Sequence, residues 1–112
     1  MKNKIRQFKT GATRDKEDGK LDLEGFLNPY NIQIFGEYMH KHRLQQDGTL
    51  RASDNWQKGM PKEVYMKSLW RHFHDLWLEH RGYVSREGIN NAICGIIFNS
   101  FGYLYEENKR KK

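Results

Sequence analysis

The sequence is poor in cysteine, in proline and in long apolar runs, with one cysteine and two prolines among its 112 residues. A lone cysteine, Cys94, excludes an internal disulfide, as is usual for proteins of a reducing compartment. The longest apolar run, residues 92–98, is far shorter than the roughly 20 residues of a membrane-spanning helix, so we expect no membrane partner. Because Cys94 lies inside this run, we expect it to be a small core residue and not a nucleophile.

The start of the chain lacks the apolar segment of a signal peptide, so we expect a cytoplasmic protein. Acidic residues are also relatively few, since 14 Asp and Glu against 20 Lys and Arg leave a net charge of +6. This excess favours an anionic ligand, either a nucleotide or a nucleic acid. Part of the excess lies at the two ends of the chain, at Lys2, Lys4, Arg6, Lys9 and residues 109–112. These ends are able to contact nucleic-acid phosphates.

Alternation of apolar and polar residues is also absent, so no strand pair is predicted. The periodicity predicts an all-α fold in a single domain, residues 1–112. Three helices are expected at residues 28–43, 61–81 and 85–107, after an irregular arm at 1–27 and before a basic tail at 108–112. A chain of this length buries only a modest core. We therefore expect a homo-oligomer in which the helices complete a bundle.

Local signals support the three helix starts. Asn28 and Pro29 form an N-cap followed by a proline at the first helical position. Pro61 suits the start of the second helix, and Ser85 is able to cap the third. In the first helix, Gly36 predicts a closely packed neighbour, because a helical glycine without such a role weakens the helix.

The second helix carries two different stripes at helical spacing. One stripe is apolar and is expected to face the core, which makes Trp70 and Trp77 core residues: Met66, Leu69, Trp70, Phe73, Leu76 and Trp77. The neighbouring stripe is polar: Ser68, His72, Asp75 and Glu79. The third helix is apolar on nearly all sides, and Gly95 and Gly102 would allow a close approach of another backbone.

Acidic and imidazole side chains on the first two helices are candidate metal ligands. They are Glu37 with His40 on the first helix, and His72, Asp75 and Glu79 on the second. Carboxylates from facing helices build metal sites in helical bundles, and oxygen ligands favour Mg²⁺, with Mn²⁺ as an alternative. The competing interpretation is that they are ordinary polar positions beside the core, because charged residues at these spacings are common on helices.

Basic and aromatic residues supply candidates for nucleotide binding. Phosphate contacts are expected from Lys58, Arg71, Arg14 and Lys20, although for Lys20 a solvated surface charge is an equally good interpretation. Trp56 could stack on a base, and Asn55 could contact a base edge or cap a turn. Gly59 stands alone in its segment, so a phosphate-binding glycine loop is excluded.

Two stretches resemble a known family: residues 54–61, Asp-Asn-Trp-Gln-Lys-Gly-Met-Pro, and residues 65–73, Tyr-Met-Lys-Ser-Leu-Trp-Arg-His-Phe. They are similar to the small phage-encoded proteins described as dATP/dGTP diphosphohydrolases. That family looks like a relative of the all-α, MazG-like nucleotide pyrophosphohydrolases. Three weaker stretches extend the resemblance over nearly the whole chain, at residues 9–20, 38–43 and 98–104.

The resemblance implies a helical, oligomeric, Mg²⁺-dependent enzyme of phage nucleotide metabolism that acts in the host cytoplasm. It would hydrolyse purine deoxynucleoside triphosphates between the α- and β-phosphates. It also implies these roles: Glu79 or Glu37 as the carboxylate that activates water; Glu37, Asp75, Glu79 and His72 as metal ligands; Lys58 and Arg71 at the phosphates; Trp56 and Asn55 at the base.

The chain departs from the paired acidic motifs of the MazG-like enzymes. Its first helix has Glu37 with His40 at the paired position, and its third helix offers Glu87 and Asn99. This departure supports an alternative function, in which a phage accessory protein binds a nucleotide, a nucleic acid or a host protein without catalysis.

Overall fold

The computed structural model describes residues 5–15 and 19–109. Its elements are β1 (Ile5–Gln7), β2 (Thr13–Asp15), α1 (Leu23–Phe26), α2 (Pro29–Lys41), a 3₁₀ helix (Asn55–Lys58), α3 (Lys62–His80) and α4 (Ile89–Asn108). Most of the described chain is helical, which confirms the main feature of the predicted all-α fold. Parts of the two basic ends, Lys2, Lys4 and residues 110–112, lie outside the described residues.

The sequence predicted an irregular N-terminal arm. Part of this arm is regular, because β1 and β2 form an antiparallel pair with Arg6 opposite Arg14. The turn is closed by a hydrogen bond from the Phe8 N–H to the Ala12 carbonyl, 2.9 Å long, and Gly11 there adopts a φ of +89°. Strands of three residues are too short for alternation to be visible in a sequence. The prediction that no strands pair was therefore wrong.

Helix α2 begins as its sequence predicts. The Asn28 side-chain oxygen accepts hydrogen bonds from the N–H groups of Tyr30 and Asn31, at 2.9 and 3.1 Å, and Pro29 is the first helical residue. The expected close neighbour of Gly36 is absent within the described chain, since a Cβ built there would have no atom within 4 Å.

Helices α3 and α4 form an antiparallel pair that is the centre of the fold. Near one end Lys62 binds Glu107, and near the other His72 binds Glu87. Between these ends, Gly95 and Gly102 allow the close approach that the sequence predicted. A Cβ on Gly95 would lie 2.5 Å from the His72 ring, and one on Gly102 would overlap the ring of Tyr65.

Helix α4 begins at Ile89, four residues after the predicted start at residue 85. The Ser85 hydroxyl does accept a backbone N–H, but the donor is Gly88 in a turn before the helix, at 2.9 Å. Gly88 itself has a φ of +84°, which is not helical and favours glycine. The segment between α3 and α4 therefore remains a loop, and Glu87 lies in it.

Helix α3 turns a different face to α4 from the one that the sequence predicted. Gly95 and Gly102 of α4 lie against α3, and the buried small and polar residues of α4 are Ala92, Gly95, Asn99 and Gly102. On α3, Tyr65 and Asp75 are buried, whereas Trp70 is 65% and Trp77 52% exposed. The prediction that these two tryptophans are core residues is therefore wrong for the single chain. Cys94 is buried, and burial raises the pKa of its thiol, as expected for a core residue.

In the described part of the chain, no helix combines the length and the apolar character that crossing a lipid bilayer requires.

Candidate functional site

Three side chains from the α3–α4 junction form a cluster of potential metal ligands. His72 and Asp75 come from neighbouring turns of α3, and Glu87 comes from the loop before α4. One donor atom of each lies within 4.8 Å of the donor atoms of the other two. His72 Nδ1 is 2.7 Å from Glu87 Oε2, and both side chains are mostly buried. The antiparallel packing of α3 and α4 thus gathers three ligands from distant parts of the sequence.

Asp75 is the most deeply buried member of this cluster, with 4% of its surface exposed. Burial alone raises the pKa of its carboxyl group, but the hydrogen bond from Arg86 and the positive charge of that guanidinium outweigh burial. The pKa of Asp75 is therefore held below its ordinary value. The Arg86 Nε donates to Asp75 Oδ2 at 2.8 Å. Asp75 is thus an anion at neutral pH, as a metal ligand must be.

The donor set of one imidazole and two carboxylates fits a divalent cation. Two carboxylates that lie close together repel each other, and a cation between them would relieve that repulsion. Carboxylates suit Mg²⁺ and Mn²⁺, while an imidazole nitrogen favours the transition metals. The residues present therefore fit Mn²⁺ at least as well as Mg²⁺. The Arg86 guanidinium already donates to Asp75 Oδ2, so a cation would share this carboxylate with the guanidinium.

A cavity of about 420 Å³ opens beside the cluster, and His72 belongs to both. Pockets for small ligands and cofactors commonly have volumes of 300–1,000 Å³. Tyr38, Ser68 and Asn99 line this cavity near His72, and Trp56 and Asn55 line it from the 3₁₀ helix. A ligand in the cavity would therefore contact the predicted base-binding residues and one member of the cluster together.

Two arginines that were not among the predicted phosphate contacts line the same cavity. Arg43 follows α2, and its Nε donates to the Arg51 carbonyl at 2.8 Å. The chain between them folds back on itself, with the Arg51 N–H donating to the Arg43 carbonyl at 2.8 Å and a turn at Asp47–Gly48. The described residues that line the cavity include no carboxylate. The cavity is thus suited to an anion.

The 3₁₀ helix that carries the predicted base-binding residues packs against α4. The Trp56 ring packs edge-on against Tyr105 and Phe98 of α4, with ring centroids 5.2 and 6.2 Å apart. Tyr105 also donates from its hydroxyl to the Gln57 carbonyl at 3.2 Å. These contacts fix the 3₁₀ helix against α4 and hold Trp56 at the cavity wall.

Glu79 and Glu37, the two predicted catalytic carboxylates, lie outside the cluster of three. Glu79 accepts the Ser85 N–H at 2.8 Å, and this bond, with a second one from the Ser85 side chain, lowers the pKa of Glu79. This carboxylate therefore stabilises the loop between α3 and α4. Glu37 is exposed on α2, beside a smaller pocket that Lys41 and Asn91 also line.

The four predicted phosphate-binding residues are not gathered around the cavity. Lys58 ends the 3₁₀ helix and is exposed, and Arg71 is exposed on α3. Arg14 lies in β2 and Lys20 precedes α1, and both are exposed as well. None of the four lines the cavity that contains His72. In the described chain, Arg43 and Arg51 are the guanidinium groups that line it.

Some of the residues that were not predicted as metal ligands or phosphate contacts had visible signals in the sequence. Glu87 follows Arg86 after a turn and could have been grouped with His72 and Asp75 once α3 and α4 were paired antiparallel. Arg43 and Arg51 flank the turn dipeptide Asp47–Gly48 at nearly equal distances, which is typical of positions that face each other in a hairpin.

Protein-family models, curated proteins and solved structures give no match to this chain. Its function is therefore inferred from the site and from the sequence resemblance.

Proposed function

We propose that this protein is a metal-dependent hydrolase that cleaves purine deoxynucleoside triphosphates into a monophosphate and pyrophosphate, in phage nucleotide metabolism. The observation that carries the proposal is that His72 belongs to two features of the site. This residue lies in the cluster with Asp75 and Glu87 and also in the wall of the cavity. A metal ion and the phosphates of a nucleotide would therefore meet at one place.

The triphosphate would bind at the end of the cavity where Arg43 and Arg51 lie. Guanidinium groups form paired, charge-assisted hydrogen bonds with phosphate oxygens. Neither arginine forms an ion pair with a carboxylate among the described residues, so binding an anion would not require breaking one. The net charge of +6 would raise the local concentration of an anionic substrate.

The base would lie against Trp56, with Asn55 at its edge. The indole is large and apolar and carries one hydrogen-bond donor, which suits stacking on a purine. Because Trp56 is held by Tyr105 and Phe98, it would lose little side-chain freedom when a base binds. The preference for purines over pyrimidines rests on the resemblance to the phage diphosphohydrolases.

His72, Asp75 and Glu87 would hold the metal, and a bound Mg²⁺ or Mn²⁺ would supply charge neutralisation at the phosphates and lower the pKa of water. Water would form a new bond to the α-phosphorus while the bond between this phosphorus and the α–β bridging oxygen breaks. Pyrophosphate would carry away the electron pair of that bond, and the proton that water loses would pass to the solvent. Glu87 would also hold the proton on Nδ1 of His72 when no metal is bound.

The alternative function is nucleotide or nucleic-acid binding, or binding of a host protein, without catalysis. One observation favours it. The charged groups of the cluster already have partners without a metal, since His72 pairs with Glu87 and Asp75 pairs with Arg86. Ion pairs of this kind also occur as purely structural links between helices. In that case the cavity would still bind a nucleotide, but metal would add no turnover.

We further expect the protein to act in the cytoplasm as a homo-oligomer whose helices complete a bundle. The apolar faces that α3 and α4 leave exposed support this expectation, because such faces commonly lie in protein interfaces.

Release of pyrophosphate from a panel of deoxynucleoside and ribonucleoside triphosphates tests the proposal. The assay is run with Mg²⁺, with Mn²⁺ and with a chelator. We expect turnover of dATP or dGTP that requires metal. Thermal stabilisation by these nucleotides without turnover would support the binding function instead, and the absence of both would exclude the nucleotide site.

A further inference from the structure

The outer face of α3 carries an apolar strip that the chain itself leaves uncovered. Met66, Trp70, Phe73 and Trp77 form this strip, and their exposed fractions are 40, 65, 48 and 52%. Trp70 and Phe73 pack edge-on with ring centroids 6.1 Å apart. With aromatic side chains of about 150–250 Å² each, the exposed strip amounts to roughly 400–500 Å². Patches of this size on soluble proteins commonly mark interaction sites.

The whole chain exposes more surface than a compact monomer of its size. Its accessible surface is 9595 Å². A folded monomer of 13.5 kDa is expected to expose only about 6,500 Å². Its radius of gyration is 19.6 Å, against about 13 Å for a compact domain of this length. A standard protein interface covers about 800 Å² on each partner, and the excess, to which the exposed N-terminal arm also contributes, is larger than one such interface.

The strip on α3 has a symmetry that selects its partner. Its four positions, 66, 70, 73 and 77, are spaced by four, three and four residues, so the spacing is the same in both directions. Two antiparallel copies of such a strip would place Trp70 beside Phe73 of the partner subunit. Met66 would likewise lie beside the partner's Trp77. Isologous pairing of this kind is the commonest arrangement of homodimers.

Charges at the edge of the strip have nearly the same arrangement, because their midpoint, residue 72, lies about half a residue from the midpoint of the strip. Glu63 lies nine residues before position 72 and Arg81 nine residues after it, and both side chains are exposed. Eighteen residues are five turns of a helix, so the two project from the same flank. An antiparallel pair would place each Glu63 beside Arg81 of the partner subunit. A parallel pair would place Glu63 and Arg81 of the partner subunit about 27 Å apart along the helix axis, so this attraction would be absent.

We propose that this face of α3 is the contact surface of a homodimer, with two copies of α3 antiparallel about a twofold axis near residues 71 and 72. Met66, Trp70, Phe73 and Trp77 form its apolar centre, and Glu63 pairs with Arg81 of the partner subunit at each end. His72 and Asp75 lie on the opposite side of α3, so the proposal does not depend on hydrolysis.

Sedimentation velocity of the full chain over a range of concentrations tests the surface. Trp70→Glu is expected to weaken the dimer about a hundredfold or more, because a central aromatic anchor is lost twice in each dimer. The matched control is Val84→Glu, which adds the same charge at a residue that is 92% exposed outside the strip. This control is expected to leave the dimer intact. Far-UV circular dichroism verifies that both variants remain helical.

The orientation is tested by charge reversal, which should leave folding intact because both residues are exposed. Glu63→Arg and Arg81→Glu are each expected to weaken the dimer about tenfold, and the double variant is expected to restore it. Failure of the double variant to recover would overturn the antiparallel pairing. A wild-type chain that stays monomeric, or an oligomer that Trp70→Glu leaves unchanged, would overturn the proposed surface.

Discussion

Nδ1 of His72 in α3 lies 2.7 Å from Oε2 of Glu87, fifteen residues further along the chain. This contact closes the junction between α3 and α4 and places Glu87 beside Asp75 as well. The conformation of the loop from Arg81 to Gly88 therefore determines whether Glu87 reaches His72 and Asp75.

Replacing Glu87 with Gln tests its place in the metal site. We expect metal affinity to fall by at least about a hundredfold, because the variant loses an anionic ligand while keeping nearly the same shape. Isothermal titration with Mn²⁺ measures this directly. Glu79→Gln is the matched control, since Glu79 binds the same loop through Ser85 but lies outside the cluster. Equal losses in the two variants would indicate that the loop, and not ligation by Glu87, controls metal binding.

The bond between Glu79 and Ser85 predicts a pH dependence of stability. The backbone N–H and the side chain of Ser85 lower the pKa of Glu79 below its ordinary value of 4.5. The folded state therefore favours the ionised form, so this stabilisation is fully present above pH 4.5 and disappears as the pH falls through the lower folded value. Urea unfolding of wild type and Glu79→Gln across this range measures it. The difference in unfolding free energy between wild type and the variant should narrow in acid. A difference that stays constant would contradict the assignment.

The two glycines of α4 should tolerate a methyl group poorly. We expect Gly102→Ala to cost about 1–3 kcal/mol of unfolding free energy, because the ring of Tyr65 fills the space. Gly95→Ala should displace the His72 ring and weaken metal binding as well. The matched control is Gly36→Ala in α2, where the space is open. That variant should gain about 0.5–1 kcal/mol from higher helix propensity. Chemical denaturation measures all three, and a neutral Gly102→Ala would argue against the close approach of α3.

Arginine variants distinguish the proposed phosphate site at Arg43 and Arg51 from the one that the sequence predicted. Arg51→Gln is expected to raise the KM for the nucleotide about tenfold to a hundredfold, because a charged hydrogen bond to phosphate is lost. Arg71→Gln removes the same charge from an exposed position outside the cavity and should leave KM nearly unchanged. If Arg71→Gln has the larger effect, the nucleotide binds elsewhere.

The helical character of the chain could be predicted from the sequence because its signals are local. Asn28 and Pro29 mark the start of α2, and the structure begins the helix there through two hydrogen bonds to the Asn28 side chain. The closeness of α4 at Gly95 and Gly102 was also visible, since only small residues admit a neighbouring helix so closely. The short strands β1 and β2 carried no comparable signal.

The orientation of α3 could not be predicted, because hydrophobicity alone does not say which apolar surface a single chain buries. Trp70 and Trp77 are large and apolar, yet the small residues of α4 accommodate the ring of Tyr65 and the His72–Asp75 stripe instead. Whether Glu87 belongs to the cluster with His72 and Asp75 depends on that orientation. His72 and Asp75 were therefore correctly grouped from their spacing, whereas their third neighbour required the tertiary structure.

The inverted orientation of α3 also divides the three tryptophans of the chain. Trp56 lines the cavity, whereas Trp70 and Trp77 lie on the opposite, outer side of α3. Intrinsic fluorescence from this protein is therefore a sum of two optical signals with different origins. A chain that keeps Trp56 alone would emit light that responds to a bound ligand, and one that keeps Trp70 alone would respond to association. The same molecule could thus report two events by spectroscopy without any attached dye.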